Sequence, residues 1–170
     1  AMSTRSGEFI TLKEVLDEVG TDACRFFFLL RAPDSQLEFD LELAKKQSSE
    51  NPVFYVQYVN ARCHSILKDF KEDDTCIDIS LLNTKEERDL IKKLISFEDI
   101  LLICDKTKSP HHLTTYLLET ADIYHRFYEK CRVLCEDKNL MKARIQLLKA
   151  VSIVIAKGLD LLGVCAPAKM

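Results

Sequence analysis

The sequence predicts an all-α fold, a bundle of about four long helices preceded by short ones, on three observations. Apolar residues recur at three- and four-residue spacing almost throughout, and alternating strand patterns are rare. Four glycines and four prolines in 170 residues leave little room for turns. Helix start signals recur in a regular series from Thr11 onward.

Thr11 with Glu14 three residues later forms a capping box, and Leu12, Val15, Leu16 and Val19 make one apolar face before Gly20 stops the helix. A short apolar helix then runs from Ala23 to Leu30, ending near Pro33, and a third short one follows Asp40. Asn51 suits an N-cap and Pro52 the first helical position. That helix is predicted to reach Phe70, with Val56, Val59, Cys63, Ile66 and Leu67 on its inner face. Residues 71–80 are polar and predict a loop. Thr84 and Glu87 open a helix to about Cys104, and Ser109-Pro110 repeats the cap-then-proline signal. The helix after Pro110 is expected to carry Leu113, Leu117, Ala121, Tyr124, Phe127, Cys131 and Leu134. The last helix is predicted from about Leu140 to Gly163, with Leu147, Val151, Val154, Ile155, Leu161 and Leu162 inside. A boundary near Gln47 to Asn51 divides the chain into residues 1–48 and 49–170.

A chain of 170 residues buries roughly 70% of its unfolded surface and needs no staple to fold. No apolar run approaches the roughly 20 residues that span a bilayer, and the polar N-terminus is unlike a signal peptide. Seven scattered cysteines without a C-x-x-C pair point to free thiols in a reducing compartment, so a cytoplasmic location is expected. Cys131 and Cys135 lie one helical turn apart and could share a metal with His125 or His64. Buried thiols are common in helical cores, and no metal is expected. The net charge of −3 hides an asymmetry. Residues 1–123 hold 15 Lys/Arg against 23 Asp/Glu, a net of −8, whereas residues 124–170 hold 9 against 4, a net of +5. A basic segment on an acidic protein is a polyanion footprint or a solvated helix face.

Nucleotide-binding, hydrolase-elbow and zinc-protease motifs are absent from the sequence, and the adjacent His111 and His112 point to different helix faces. The residues alone do not describe an enzyme. A helical protein-interaction scaffold fits the acidic charge and the bundle pattern.

A more specific reading comes from motifs in series. Met2-Ser3-Thr4-Arg5-Ser6-Gly7 resembles the signature loop of class I aminoacyl-tRNA synthetases. Gly20-Thr21-Asp22-Ala23-Cys24-Arg25 is similar to the G-x-D-A-x-R of arginyl-tRNA synthetases, and Asp34 to Leu41 resembles the segment that follows it in that family. Asn51-Pro52-Val53-Phe54-Tyr55-Val56-Gln57-Tyr58, continued by Ala61-Arg62, resembles the family's N-P-x-Y-Y-V-Q-Y stretch. Phe127-Tyr128 with Arg132-Val133-Leu134 resembles F-Y-x-x-x-R-V-L, and Gly163 to Met170 resembles its G-V-x-A-P-x-x-M ending. The motifs occur in the family's order along the whole chain. Two positions depart from the pattern. Ala1 stands where the loop has a leading lysine and is read as a cloning remnant, and Val59-Asn60 stands where the family often has Ala-His. A helical domain of another class I synthetase matches the motifs less well.

The resemblance implies a C-terminal part, with a signature-loop tail and linking helices over 1–48 and an anticodon-binding bundle over 49–170. It implies arginine tRNA as the partner, no membrane, and a monomer. ATP with Mg and arginine would be ligands of the parent ligase only, and the chain itself would hold no cofactor and be inactive alone. Met2, Ser3, Thr4 and Arg5 would be the remnant of the catalytic loop. Tyr128, Arg132 and Met170 would line a patch receiving an anticodon base, with Arg62 among the tRNA-binding residues. Tyr128 and Arg132 are expected one turn apart on one helix. Tyr124, one turn earlier, would extend the stripe or pack in the core.

Overall fold

The computed structural model describes residues 11–36, 38–68, 70 and 77–170. Met2, Ser3, Thr4 and Arg5 of the signature-loop reading, and most of the expected loop over 71–80, lie outside the described residues.

Thr11 caps α1 (Leu12–Leu29): its hydroxyl accepts from the Glu14 N–H and the Glu14 carboxylate accepts from the Thr11 N–H. Gly20, at φ 80° and ψ 163°, divides α1 into two helical segments, the expected stop followed at once by a restart. Asp40 caps α2 (Leu41–Lys45) by accepting from the Leu43 N–H at 2.9 Å. Asn51 then joins α2 to α3 (Pro52–Leu67). Its Oδ1 accepts from the Val53 N–H, and its Nδ2 donates to the carbonyls of Ala44 and Lys46. A buried carboxamide is satisfied on both sides, and the angle between α2 and α3 is set. A 3-10 turn at Ile79–Leu81 leads to α4 (Lys85–Ile95), α5 (Phe97–Thr107), α6 (His111–Lys130) and α7 (Lys138–Leu161).

Four expectations are corrected. The helix predicted over Thr84–Cys104 is two helices, because the chain leaves helical geometry at Ser96 (ψ 1°). The Ser96 hydroxyl donates back to the Lys93 carbonyl at 2.8 Å, a local bond that competes with the helical ladder. Ser109 does not cap α6. Its hydroxyl serves the Thr107 carbonyl, and Pro110 occupies the capping position. Most consequentially, α6 ends at Lys130 instead of running through Leu134. At Cys131 the backbone leaves the helix (φ −113°, ψ 101°) and continues as an irregular, bent segment, in which Cys131 and Val133 are buried and Arg132 and Leu134 exposed. Leaving the helix buries Val133 in place of the expected Leu134. Leu161, also expected inside, is half exposed in the last turn of α7.

α3 is the central helix, held between α6 and α7. α4 packs on α6 and α7, α5 on α6, and α1 lies over α2, α3 and α6. Phe26, Val56, Leu117, Phe127, Leu148 and Ile155 are without solvent access where these helices meet. Truncating such an aromatic to alanine typically costs about 3–5 kcal/mol. The described helices contain none long and apolar enough to cross a membrane.

Candidate nucleic-acid interface

α3 presents two different stripes. Tyr55, Tyr58 and Arg62 follow i, i+3, i+7 spacing and face α6. Gln57 and Asn60 face the chain's last residues. On α6, Tyr124, His125 and Tyr128 complete the first stripe.

Tyr55 and Tyr58 both lie against the His125 imidazole, at centroid distances of 4.6 and 5.9 Å, the second pair stacked. Tyr124 stacks under Tyr128 at 6.0 Å. The Arg62 guanidinium sits 4.9 Å over the Tyr128 ring and donates to its hydroxyl, from Nε at 2.9 Å and also from Nη2. That bond holds the guanidinium's pKa above its usual value. An Arg held on an aromatic face and bonded to its phenol is a rigid cation, set for stacking or phosphate contact.

Burial sorts the residues singled out by sequence. Tyr124 is fully buried, so its ring supports Tyr128 from below and offers no free face. The Cys63 thiol is the polar group beside its hydroxyl. Burial, and then the neighbouring Cys63, hold its pKa well above the ordinary phenol range. Burial likewise pushes the Cys63 thiol up to about 12. Tyr128 is half-buried at the edge of the core, beside the fully buried Phe127. Arg132 is exposed, but the end of α6 at Lys130 removes it from the helical face it was expected to share with Tyr128. Met170 is 52% exposed at the end of an irregular tail.

Tyr55, Tyr58 and His125 were not among the residues that the sequence assigned to tRNA binding. The signal was present in the three-residue spacing of the tyrosines, but apolar helix faces carry the same spacing. Exposure separates the two cases, since Tyr58 is 41% exposed. The His125 Nε2 is buried without a hydrogen-bond partner among the described residues, and burial lowers the imidazole's pKa, which favours the neutral ring.

The basic segment is less free than its charge count. Arg126 pairs with Asp122, Lys130 with Glu86 and Arg144 with Glu87, so carboxylates from outside the segment match three of its cations. Arg132 makes no ion pair with the described residues, and its side chain remains open to solvent. Cys131 lies 3.5 Å from the Thr84 hydroxyl, and the Cys135 thiol turns to the Asp137 carbonyl. Three metal-ligating side chains do not converge anywhere among the described residues.

An aromatic row, an arginine locked onto it and a flanking irregular segment with an unpaired arginine are the parts expected of a surface that takes unstacked bases. Comparison with known proteins decides the family, because the DALR anticodon binding domain matches residues 56–170. The chain belongs to that family. Its relatives include the arginine–tRNA ligase of Caldanaerobacter subterraneus subsp. tengcongensis, 49% identical over 99% of this chain and 31% of the relative. The arginine–tRNA ligase of Geobacter sp. is 51% identical over the whole chain and 32% of its own length. The solved Thermus thermophilus arginyl-tRNA synthetase superposes with a TM-score of 0.80 at 31% identity, covering 98% of this chain and 29% of that one. The chain thus spans about a third of the curated relatives it matches. The DALR domain assignment begins inside α3, so α1 and α2 precede the matched region.

Proposed function

We propose that this chain recognises the anticodon stem and loop of arginine tRNA, as part of a longer arginine–tRNA ligase. The observation that carries the reading is near-50% identity to arginine–tRNA ligases along the whole chain. ATP, with Mg, and arginine are substrates of the longer protein. The chain acts as a monomer in the cytoplasm, with residues 49–170 forming the anticodon-binding unit and residues 1–48, including Met2, Ser3, Thr4 and Arg5, belonging with the catalytic part.

The geometry supports a division of labour. Tyr128, backed by Tyr124 and clamped by Arg62, supplies a face for a splayed base, and Tyr58 supplies a second. Met170 closes on the base from the tail, its thioether adding polarisable contact. Arg132 takes a backbone phosphate, where a charge-assisted contact is strong. No metal or cofactor takes part.

The test is binding to an arginine tRNA transcript, with the same tRNA carrying a replaced anticodon as the control. Tighter binding to the natural anticodon is expected, and equal affinity for both would overturn the reading. Arginine-dependent ATP–pyrophosphate exchange by this chain alone is expected at background level, and a clear signal would remove the assignment of catalysis to the longer protein.

A further inference from the structure

The second stripe of α3 holds the chain's last residues by their backbone. Just past the end of α7, Gly163 has a positive φ of 65°, which lets the Val164 N–H reach back to the Leu159 carbonyl at 2.9 Å. The Gly163 carbonyl accepts from the Arg25 guanidinium at 2.5 Å. Val164 is buried and anchors the turn. Then Asp22 of α1 accepts the Cys165 N–H at Oδ1 (3.1 Å) and Gln57 Nε2 at Oδ2 (3.0 Å). Gln57 Nε2 also donates to the Cys165 carbonyl at 2.8 Å. One turn on, Asn60 Nδ2 donates to the carbonyls of Ala166 and Pro167, both at 3.1 Å.

The orientation of both carboxamides is dictated by their partners. The carbonyls of residues 165–167 and the Asp22 carboxylate can only accept, so the nitrogens must face them. Asn60 Oδ1 is left to accept from the Ser152 hydroxyl of α7, at 2.8 Å. Asn60, 1% exposed, is thereby satisfied at every group by two separate elements, and its direction is locked. Met170 lies three residues past Pro167, so it stays within about 10 Å of that carbonyl even when the stretch is fully extended.

We propose that Asp22, Gln57 and Asn60 are positioning residues that fix the path of the tail and so confine Met170 to the surface around this end of α3. The proposal rests on the reading that this end of α3 and α6 meets the anticodon loop. It assigns a role to the Asp22-Ala23-Cys24-Arg25 stretch: α1, which precedes the family-matched region, helps set the geometry of a binding residue at the far end of the chain.

The test uses the whole chain in two variants. Asn60→Ala removes the grip on two carbonyls, and Asp22→Ala, at a half-exposed helical position, loosens the tail without opening the core. Backbone 15N relaxation at Lys169 and Met170 should change from ordered in the parent chain to fast-moving in both variants. Affinity for arginine tRNA should fall roughly tenfold in each, as it should on deletion of Met170. Combining either substitution with that deletion should cost no more than the larger single change. Retained order at residues 169 and 170 in both variants overturns the clamp. Lost order with unchanged affinity, or losses that add in the double variants, overturns the positioning role. If the parent chain binds no tRNA, the functional reading fails by itself, and the relaxation comparison still decides whether the clamp orders the tail.

Discussion

Nε of Arg144 on α7 lies 2.7 Å from Oε1 of Glu87 on α4, where Glu87 has no access to water. The other Glu87 oxygen accepts the Thr84 N–H at 2.9 Å, so one carboxylate caps α4 and joins it to α7. Arg144 also donates from Nη1 to the Arg132 carbonyl at 2.9 Å, holding the irregular segment after α6. Burial alone would raise the Glu87 pKa, but Arg144 and the Thr84 cap outweigh it, and the carboxyl sits below its usual value.

Removing Arg144 strands a buried carboxylate. Arg144→Met is expected to lower unfolding free energy by about 3–5 kcal/mol in urea denaturation. The Glu87 pKa is depressed in the folded state, so its contribution is fully present above the ordinary glutamate pKa of about 4.3 and is lost as pH falls through the lowered value. Acid titration of the parent chain and of Glu87→Gln checks this: the variant should start less stable at pH 7 and lose less on acidification.

Tyr128→Ala should weaken tRNA binding by roughly tenfold, because one stacking face is worth about 1–3 kcal/mol. Tyr128→Phe keeps the face and removes the acceptor of Arg62. Its effect on affinity should be smaller, and circular dichroism should show unchanged helix content in both. Equal losses in the two variants would transfer the role from the ring to the Arg62 bond.

Arg132 lies outside α6 and makes no ion pair with the described residues. If it meets a phosphate, Arg132→Ala should reduce the slope of log affinity against log salt by roughly 0.7–0.9. An unchanged slope with unchanged affinity would remove it from the interface.

Burial favours the neutral form of His125 between two tyrosines. A lowered folded pKa means that charging is harder in the folded chain, so stability is full above the unfolded histidine value of about 6.5 and declines as pH falls from there toward the lowered value. Asp122 and Glu129 on the same helix oppose the effect of burial without cancelling it. Thermal melts between pH 7.5 and 5.5 should show a falling midpoint. His125→Phe keeps the ring contacts with Tyr55 and Tyr58 and should flatten that fall.

Much of this architecture was legible in short-range signals. The Thr11 and Thr84 capping boxes, the Asn51-Pro52 start and the stop at Gly20 each rest on atoms within four residues, and each appears where the sequence places it. The end of α6 was not legible, because the group that holds the Arg132 carbonyl comes from Arg144, on the next helix. The break at Ser96 was missed for a different reason, since serine is tolerated inside helices unless its hydroxyl turns back on the ladder. Within the site, family resemblance picked out Tyr128 and Arg62, but their hydrogen bond spans 66 residues and leaves no local trace. Gln57 was legible only as part of the family-like stretch and Asn60 only as a departure from it, and neither suggested a bond to the tail. Their work is visible only once the last residues of the chain are laid beside them.

Gly20 holds φ at 80° with nothing within 4 Å of where a Cβ would stand, so space is no obstacle to a side chain there; handedness is. An L-alanine would be strained at that angle, whereas its mirror image would be at ease. Gly20→Ala should therefore destabilise the protein by about 1–3 kcal/mol through backbone strain alone. Its melting temperature would also report whether the two segments of α1 must keep their angle for Asp22 and Arg25 to reach the tail.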